Sequence, residues 1–252
     1  MFDEIRGDIR LKTYVSYILA ACMVIITTIT IFIPKLSDIY GVGDGPVVNI
    51  FVRLTIPFQH GFDNVSAIFH LGLNLLLMWV LGTYLEKVLG SFCFLITTLV
   101  SFFMYVLFHR LLLLIGHGFT PILMTYSGVM FLVMAEGRYV KTRSIFEDYY
   151  ITLRGIQLGV WISLPILMVF VPLYYNSLTS LSQNIFYGNI IHVICGATGV
   201  ALGFLFRQYI RQKLTQQTRK RRIKHTKLDR VAVYVAFGFP LYLVLVFFTR
   251  YL

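Results

Sequence analysis

Long stretches free of charge alternate with short charged ones along this chain. Residues 13–34, 66–85, 91–108, 111–135, 155–206 and 231–249 contain no Asp, Glu, Lys or Arg. About 20 consecutive apolar residues cross the hydrocarbon core of a bilayer, so the pattern predicts an all-α polytopic membrane protein. Helices are expected at about 13–34, 66–84, 91–115, 122–136, 155–174, 189–206 and 231–249, the fifth and sixth being separated by a polar segment at 175–188. The fourth is expected to be short. Its apolar run of 14 residues rises roughly 21 Å against a core of about 30 Å, which leaves room inside a bundle. Ser127 would stand at its head, where helix N–H groups lack intrahelical partners.

Composition agrees with the pattern. Of 252 residues, 58% are hydrophobic and 13% charged, about half the charged share of a soluble domain. The net charge of +11 would suggest nucleic acid in a soluble protein, but here it sorts by topology. With residues 1–12 as a short cytosolic tail, 18 of the 22 Lys and Arg fall on the cytosolic side, as the positive-inside rule requires. Ten of these lie in a basic linker at 207–230, a topology anchor that also suits contact with anionic lipid. The C-terminus is then expected outside, in what reads as a prokaryotic plasma membrane. The loop at 35–65 is apolar enough to lie in the membrane interface. Cys22, Cys93 and Cys195 sit inside apolar runs with no paired or metal-ligand spacing, so no disulfide framework or zinc site is expected.

Few polar residues lie inside the spans, and those that do must face protein or water. His70 and Asn74 are four apart, on one helix face; they read either as helix-joining glue or as donors aimed at a cavity. Ser127 alone reads as an ordinary small membrane residue. His192 shares a face with Cys195, Gly199 and Gly203, a small-residue stripe that lets backbones approach. The helices carrying these groups are all expected to enter from the outer side, so His70, Asn74, Ser127 and His192 lie within about 15 Å of that surface by helical rise. A hydroxyl, an imidazole and donors for a developing oxyanion are the parts of an acyl-transfer site.

Together these residues resemble the rhomboid family of intramembrane serine proteases, over roughly 50–206. The resemblance rests on Arg53-Leu54-Thr55 and His60, His70-x-x-x-Asn74, Leu85-Glu86-Lys87-x-x-Gly90-Ser91, Ser127-Gly128 with Phe131, and Asn189-x-x-His192 with Gly199. It implies a rhomboid-like six-helix core at 13–206 plus one C-terminal transmembrane helix in 231–252. Ser127 would be the nucleophile, His192 its general base and acid, and His70 and Asn74 the oxyanion hole. Phe131 would stack beneath the His192 ring, and Glu86 would tie the first loop to the helix ends. Gly128 and Gly199 would be supporting residues. Substrates would be single-pass membrane proteins, cut near the outer face without metal or cofactor, with the fifth helix and 175–188 as the gate.

Three departures from the family pattern stand out. Thr125 replaces the first glycine of the serine motif and is expected to crowd the substrate side. Cys195 replaces a helix-contact glycine, and the His60–His70 spacing is wide. An inactive rhomboid-like protein that binds transmembrane helices is therefore the alternative. A proton-coupled transporter ranks third, because the carboxylates Glu86 and Glu136 lie at helix ends rather than inside the membrane.

Overall fold

The computed structural model describes residues 13–33, 55–60, 64–111, 118–139 and 179–218. The tail at 1–12, most of the 35–65 loop, the fifth predicted helix and the seventh lie outside them. The described residues are helical throughout: α1 (Tyr14–Phe32), a 3₁₀ turn (Ile56–Phe58), α2 (Asn64–Leu77), a π turn (Met78–Gly82), α3 (Thr83–Leu111), α4 (Thr120–Tyr139), α5 (Thr179–Leu205) and α6 (Arg207–Thr218). Two of these, Tyr14–Phe32 and Thr83–His109, are long and apolar enough to cross a membrane, and the bent pair Ile190–Leu205 and Arg207–Thr215 makes a third candidate.

In α1 the buried residues Val15, Leu19, Cys22, Met23, Thr27 and Thr30 recur at helical spacing and form one stripe toward the bundle. Its first turn is closed by a side chain distant in sequence. The Val15 and Ser16 N–H groups donate to the two Glu86 carboxylate oxygens at 3.1 and 2.8 Å, and the Ser16 hydroxyl adds a third bond at 2.7 Å. Ser91 Oγ donates a fourth at 2.7 Å. A carboxylate at a helix N-terminus meets both the unpaired N–H groups and the positive end of the dipole. Glu86 thus ties α1 to α3; most of the 35–65 loop, to which the resemblance would have it tied, lies outside the described residues.

Four residues on, Gly90 has φ 76° and ψ 156° inside α3, backbone that only glycine adopts without strain. There the chain reverses. Beyond it Phe94, Thr98 and Ser101 run antiparallel to α4: the Phe94 and Tyr126 rings lie 4.9 Å apart, Thr98 Oγ1 meets the Tyr126 hydroxyl at 2.7 Å, and Ser101 Oγ meets Thr125 Oγ1 at 2.6 Å.

The helix pair that positions the site is α4 and α5. They run parallel, each α4 residue facing the α5 residue about 71 positions later, Gly128 against Gly199 and Leu132 against Gly203. The contact is backbone to backbone. A methyl added at Gly128 would collide with Gly196 O and come within 2.7 Å of Val200 N, and one added at Gly199 would strike the Thr125 backbone. The predicted small-residue stripe is therefore a true close-packing seam.

Both helices differ in extent from expectation. α4 begins at Thr120 and runs 20 residues to Tyr139. Pro121 starts the helix instead of preceding it, since proline lacks only an N–H that has no partner there anyway, and Phe119 O accepts from Ile122 and Leu123 N–H at 3.0 and 3.1 Å. α5 begins at Thr179, so most of the polar 175–188 segment is helical. After Phe206 the chain bends by 65° into α6, the first half of the expected basic linker. α6 packs on the bundle through Ile210 and Leu214, both buried, while Tyr209 donates to Leu89 O at 2.8 Å.

Candidate active site

His70 and Asn74 on α2 meet the first residue of α4. The Thr120 hydroxyl donates to Asn74 Oδ1 at 3.0 Å, and His70 Nε2 lies 3.3 Å from Thr120 Oγ1. The hydroxyl's one hydrogen is committed to Asn74, so His70 Nε2 meets the hydroxyl oxygen, and the His70 ring is also hydrogen-bonded to the His60 backbone. The Asn74 amide is then held by its oxygen alone. Its nitrogen is buried, with no hydrogen-bond partner among the described residues, an uncommon state for a buried donor.

The His70 ring is packed from two sides. Gly118 has φ 123°, and a methyl there would lie 2.7 Å from His70 Cε1, so glycine is needed for its backbone conformation and for its lack of a side chain. The His60 ring stands edge-on at 5.1 Å. His60 is itself fixed: Nδ1 lies 2.9 Å from Phe58 O and 3.1 Å from Thr27 Oγ1, and Nε2 accepts the Phe119 N–H at 3.5 Å. The register of α4 and α5 puts His192, on α5, level with Pro121 beside Thr120. His60, His70, Asn74, Thr120 and His192 thus gather at one end of the bundle.

Ser127 lies two turns along α4 from Thr120, on the same side of the helix, and is fully buried. It sits inside the helix rather than at its head, so its backbone N–H belongs to the helical ladder and is no preformed oxyanion donor. By the register of α4 and α5, His192 is level with Pro121, six residues or about 9 Å of rise from the level of Ser127. Phe131, one turn past Ser127, is 54% exposed.

Thr125 does not crowd the site. It is fully buried, and its hydroxyl donates to Cys195 O at 2.9 Å while meeting Ser101 Oγ. It joins α3, α4 and α5.

A model of the rhomboid domain matches residues 54–209, well over half of the chain. The chain belongs to the rhomboid family. It is thereby a member of a family of intramembrane serine proteases and a multi-pass membrane protein. Searches of characterised proteins and of solved structures returned no match. The rhomboid domain contains every helix of the site, from the 3₁₀ turn before α2 to the start of α6. Among the described residues no cluster of His, Cys, Asp or Glu has the arrangement of a metal site.

Thr120 and Gly118 are the site residues that sequence reasoning missed. Part of the signal was present: a Thr directly before Pro is a helix-start signature, although it does not say which residues of α2 stand at that level.

Proposed function

We propose that this rhomboid is an active intramembrane serine endopeptidase that hydrolyses peptide bonds in or beside the transmembrane segment of single-pass substrates. Ser127 attacks the carbonyl carbon, His192 takes the hydroxyl proton, and the same proton passes to the leaving amine. Asn74 stabilises the tetrahedral oxyanion through its amide nitrogen, with His70 beside it. Gly128 and Gly199 keep α4 and α5 close enough for serine and histidine to cooperate. The His192 ring has to lie along α5 toward Cys195 to reach Ser127. The reaction needs no cofactor.

The observation that carries this reading is the Asn74 amide: a buried donor without a partner among the described residues, anchored at its other end and gathered with His70 and His192. A purely structural Asn would be expected to satisfy both ends. The charge asymmetry of the loops supports an orientation with the N-terminus cytosolic and the C-terminus outside, which places the site near the outer face of what we take to be a prokaryotic plasma membrane.

The buried, mid-helix position of Ser127 favours a second reading, an inactive relative that binds transmembrane helices. Labelling of membranes with a fluorophosphonate probe separates the two. The protease reading expects labelling of the wild-type chain that disappears in Ser127→Ala and in His192→Ala. Labelling that persists without the serine, or none of a folded wild-type chain, rejects it.

A further inference from the structure

Resting on the protease reading, we propose that Thr120 is a positioning residue that aims the Asn74 donor and couples it to His70. The hydroxyl donates to Asn74 Oδ1 at 3.0 Å, and its oxygen lies 3.3 Å from His70 Nε2. A primary amide is planar, so a hydrogen bond to its oxygen also fixes where its two N–H hydrogens point. Without Thr120 the amide is free to rotate about its terminal torsion, which is broad and nearly two-fold, and its oxygen and nitrogen can exchange places. With Thr120 in place the oxygen is held and the nitrogen points away from it. The His70 ring is in turn immobilised by the backbone of Gly118 and the edge of His60. Orientation therefore passes from Gly118 through His70 and Thr120 to Asn74, and the chained hydrogen bonds polarise one another in that direction.

This arrangement divides the two candidate oxyanion donors. Asn74 keeps its nitrogen uncommitted among the described residues, whereas the His70 ring is engaged by Thr120 Oγ1 and by the His60 backbone. Asn74 is then the donor that Thr120 aims, with His70 holding Thr120 from the other side. Thr120 touches neither substrate nor nucleophile. Its effect should be on kcat, since a misaligned donor is missed in the transition state more than in substrate binding.

The test uses the full-length chain in detergent, with the rate of fluorophosphonate labelling and the hydrolysis of fluorescein-labelled casein as readouts. Thr120→Val keeps the shape and removes the hydroxyl. It is expected to lower kcat by roughly 10- to 100-fold, the size of effect a small displacement of a catalytic group produces, with KM nearly unchanged. Thr120→Ser is expected to restore most of the loss. In an Asn74→Ala background Thr120→Val should add less than about twofold, because residues that act as a unit are not additive. Thr120→Ala serves in place of the valine variant should that variant not fold, and thermal unfolding is recorded for each. A wild-type rate in folded Thr120→Val, or an undiminished effect of that change on top of Asn74→Ala, overturns the proposal while leaving the protease reading intact. A folded wild-type chain with no Ser127-dependent labelling rejects the protease reading, and this proposal falls with it.

Discussion

Asn74 has its oxygen bound to Thr120 and its nitrogen without a partner among the described residues, and the two halves of that amide have different energetic standing. The bond to Thr120 contributes about 1 kcal/mol to stability, as a neutral hydrogen bond does. The uncommitted nitrogen costs stability in the resting protein and returns it only when an anion forms beside it. Asn74→Ala is accordingly expected to reduce casein hydrolysis by about 10²-fold or more, as loss of an oxyanion donor does, with a thermal midpoint close to wild type. A midpoint that collapses while the residual rate per folded molecule is unchanged would make Asn74 helix glue. The pairing of His70 with Asn74 was legible in the sequence because four-residue spacing alone sets a shared helix face. Thr120 was not, because its importance depends on where α4 begins relative to α2, and no local spacing encodes that. Thr125 was misread for a related reason: its position in the motif is plain, but the direction of its hydroxyl depends on which face of α4 meets α5.

At the scale of the element, the α4–α5 seam is where sequence and structure agree most closely. The stripe of Cys195, Gly199 and Gly203 announced a close approach, and Gly128 and Gly199 meet the opposing backbone without intervening side chains. Such contacts cannot relax by turning a rotamer. Gly128→Ala is expected to destabilise the chain by about 2 kcal/mol or more, toward the upper range of overpacking, whereas Gly72→Ala, with nothing within 4 Å of the added methyl, should stay within about 0.5 kcal/mol of wild type. Thermal unfolding in one detergent compares them, and equal midpoints would refute the backbone seam. Helix ends were the weak point of the sequence reading. The hydrophobic runs put Pro121 just before a helix and the polar 175–188 segment between two helices, yet α4 begins at Thr120 and α5 at Thr179. Polarity marks where a helix leaves lipid; it does not mark where the helix ends.

For the molecule as a whole, the basic stretch after α5 has two duties. Its charges suit a topology anchor, and its first turn also holds the bundle together. Glu136, buried at the end of α4, receives Arg207 Nε and Arg211 Nε, the latter at 2.8 Å, so α6 is latched under α4. Burial works to raise the Glu136 pKa, but the hydrogen bonds and charges of the two guanidinium groups outweigh it and hold the carboxyl below its ordinary value. A depressed carboxylate pKa adds stability that is present above the unfolded value near 4.5 and is lost as pH falls through the folded value. The thermal midpoint should therefore drop on acidification below about pH 4.5, and Glu136→Gln should show a smaller drop from a lower neutral starting point. An identical acid profile in the two proteins would show that the latch does not contribute. The overall count of seven spans, read from hydrophobic runs, rests also on 155–174 and 231–249, outside the described residues.

The Glu86 clasp on α1 has a consequence for how such a chain is made. Its donors and its acceptor are about 70 residues apart, so during synthesis α1 emerges well before the carboxylate that completes it. At the roughly 5–20 residues per second of translation, the interval is some seconds. Through that time the Val15 and Ser16 amides must be hydrated, because lipid offers them no acceptor, and Glu86 in turn cannot be buried until α1 is there to receive it. Lateral entry of α1 into the bilayer and closure of its first turn are thus separate events, with the second waiting on the hairpin that Gly90 folds.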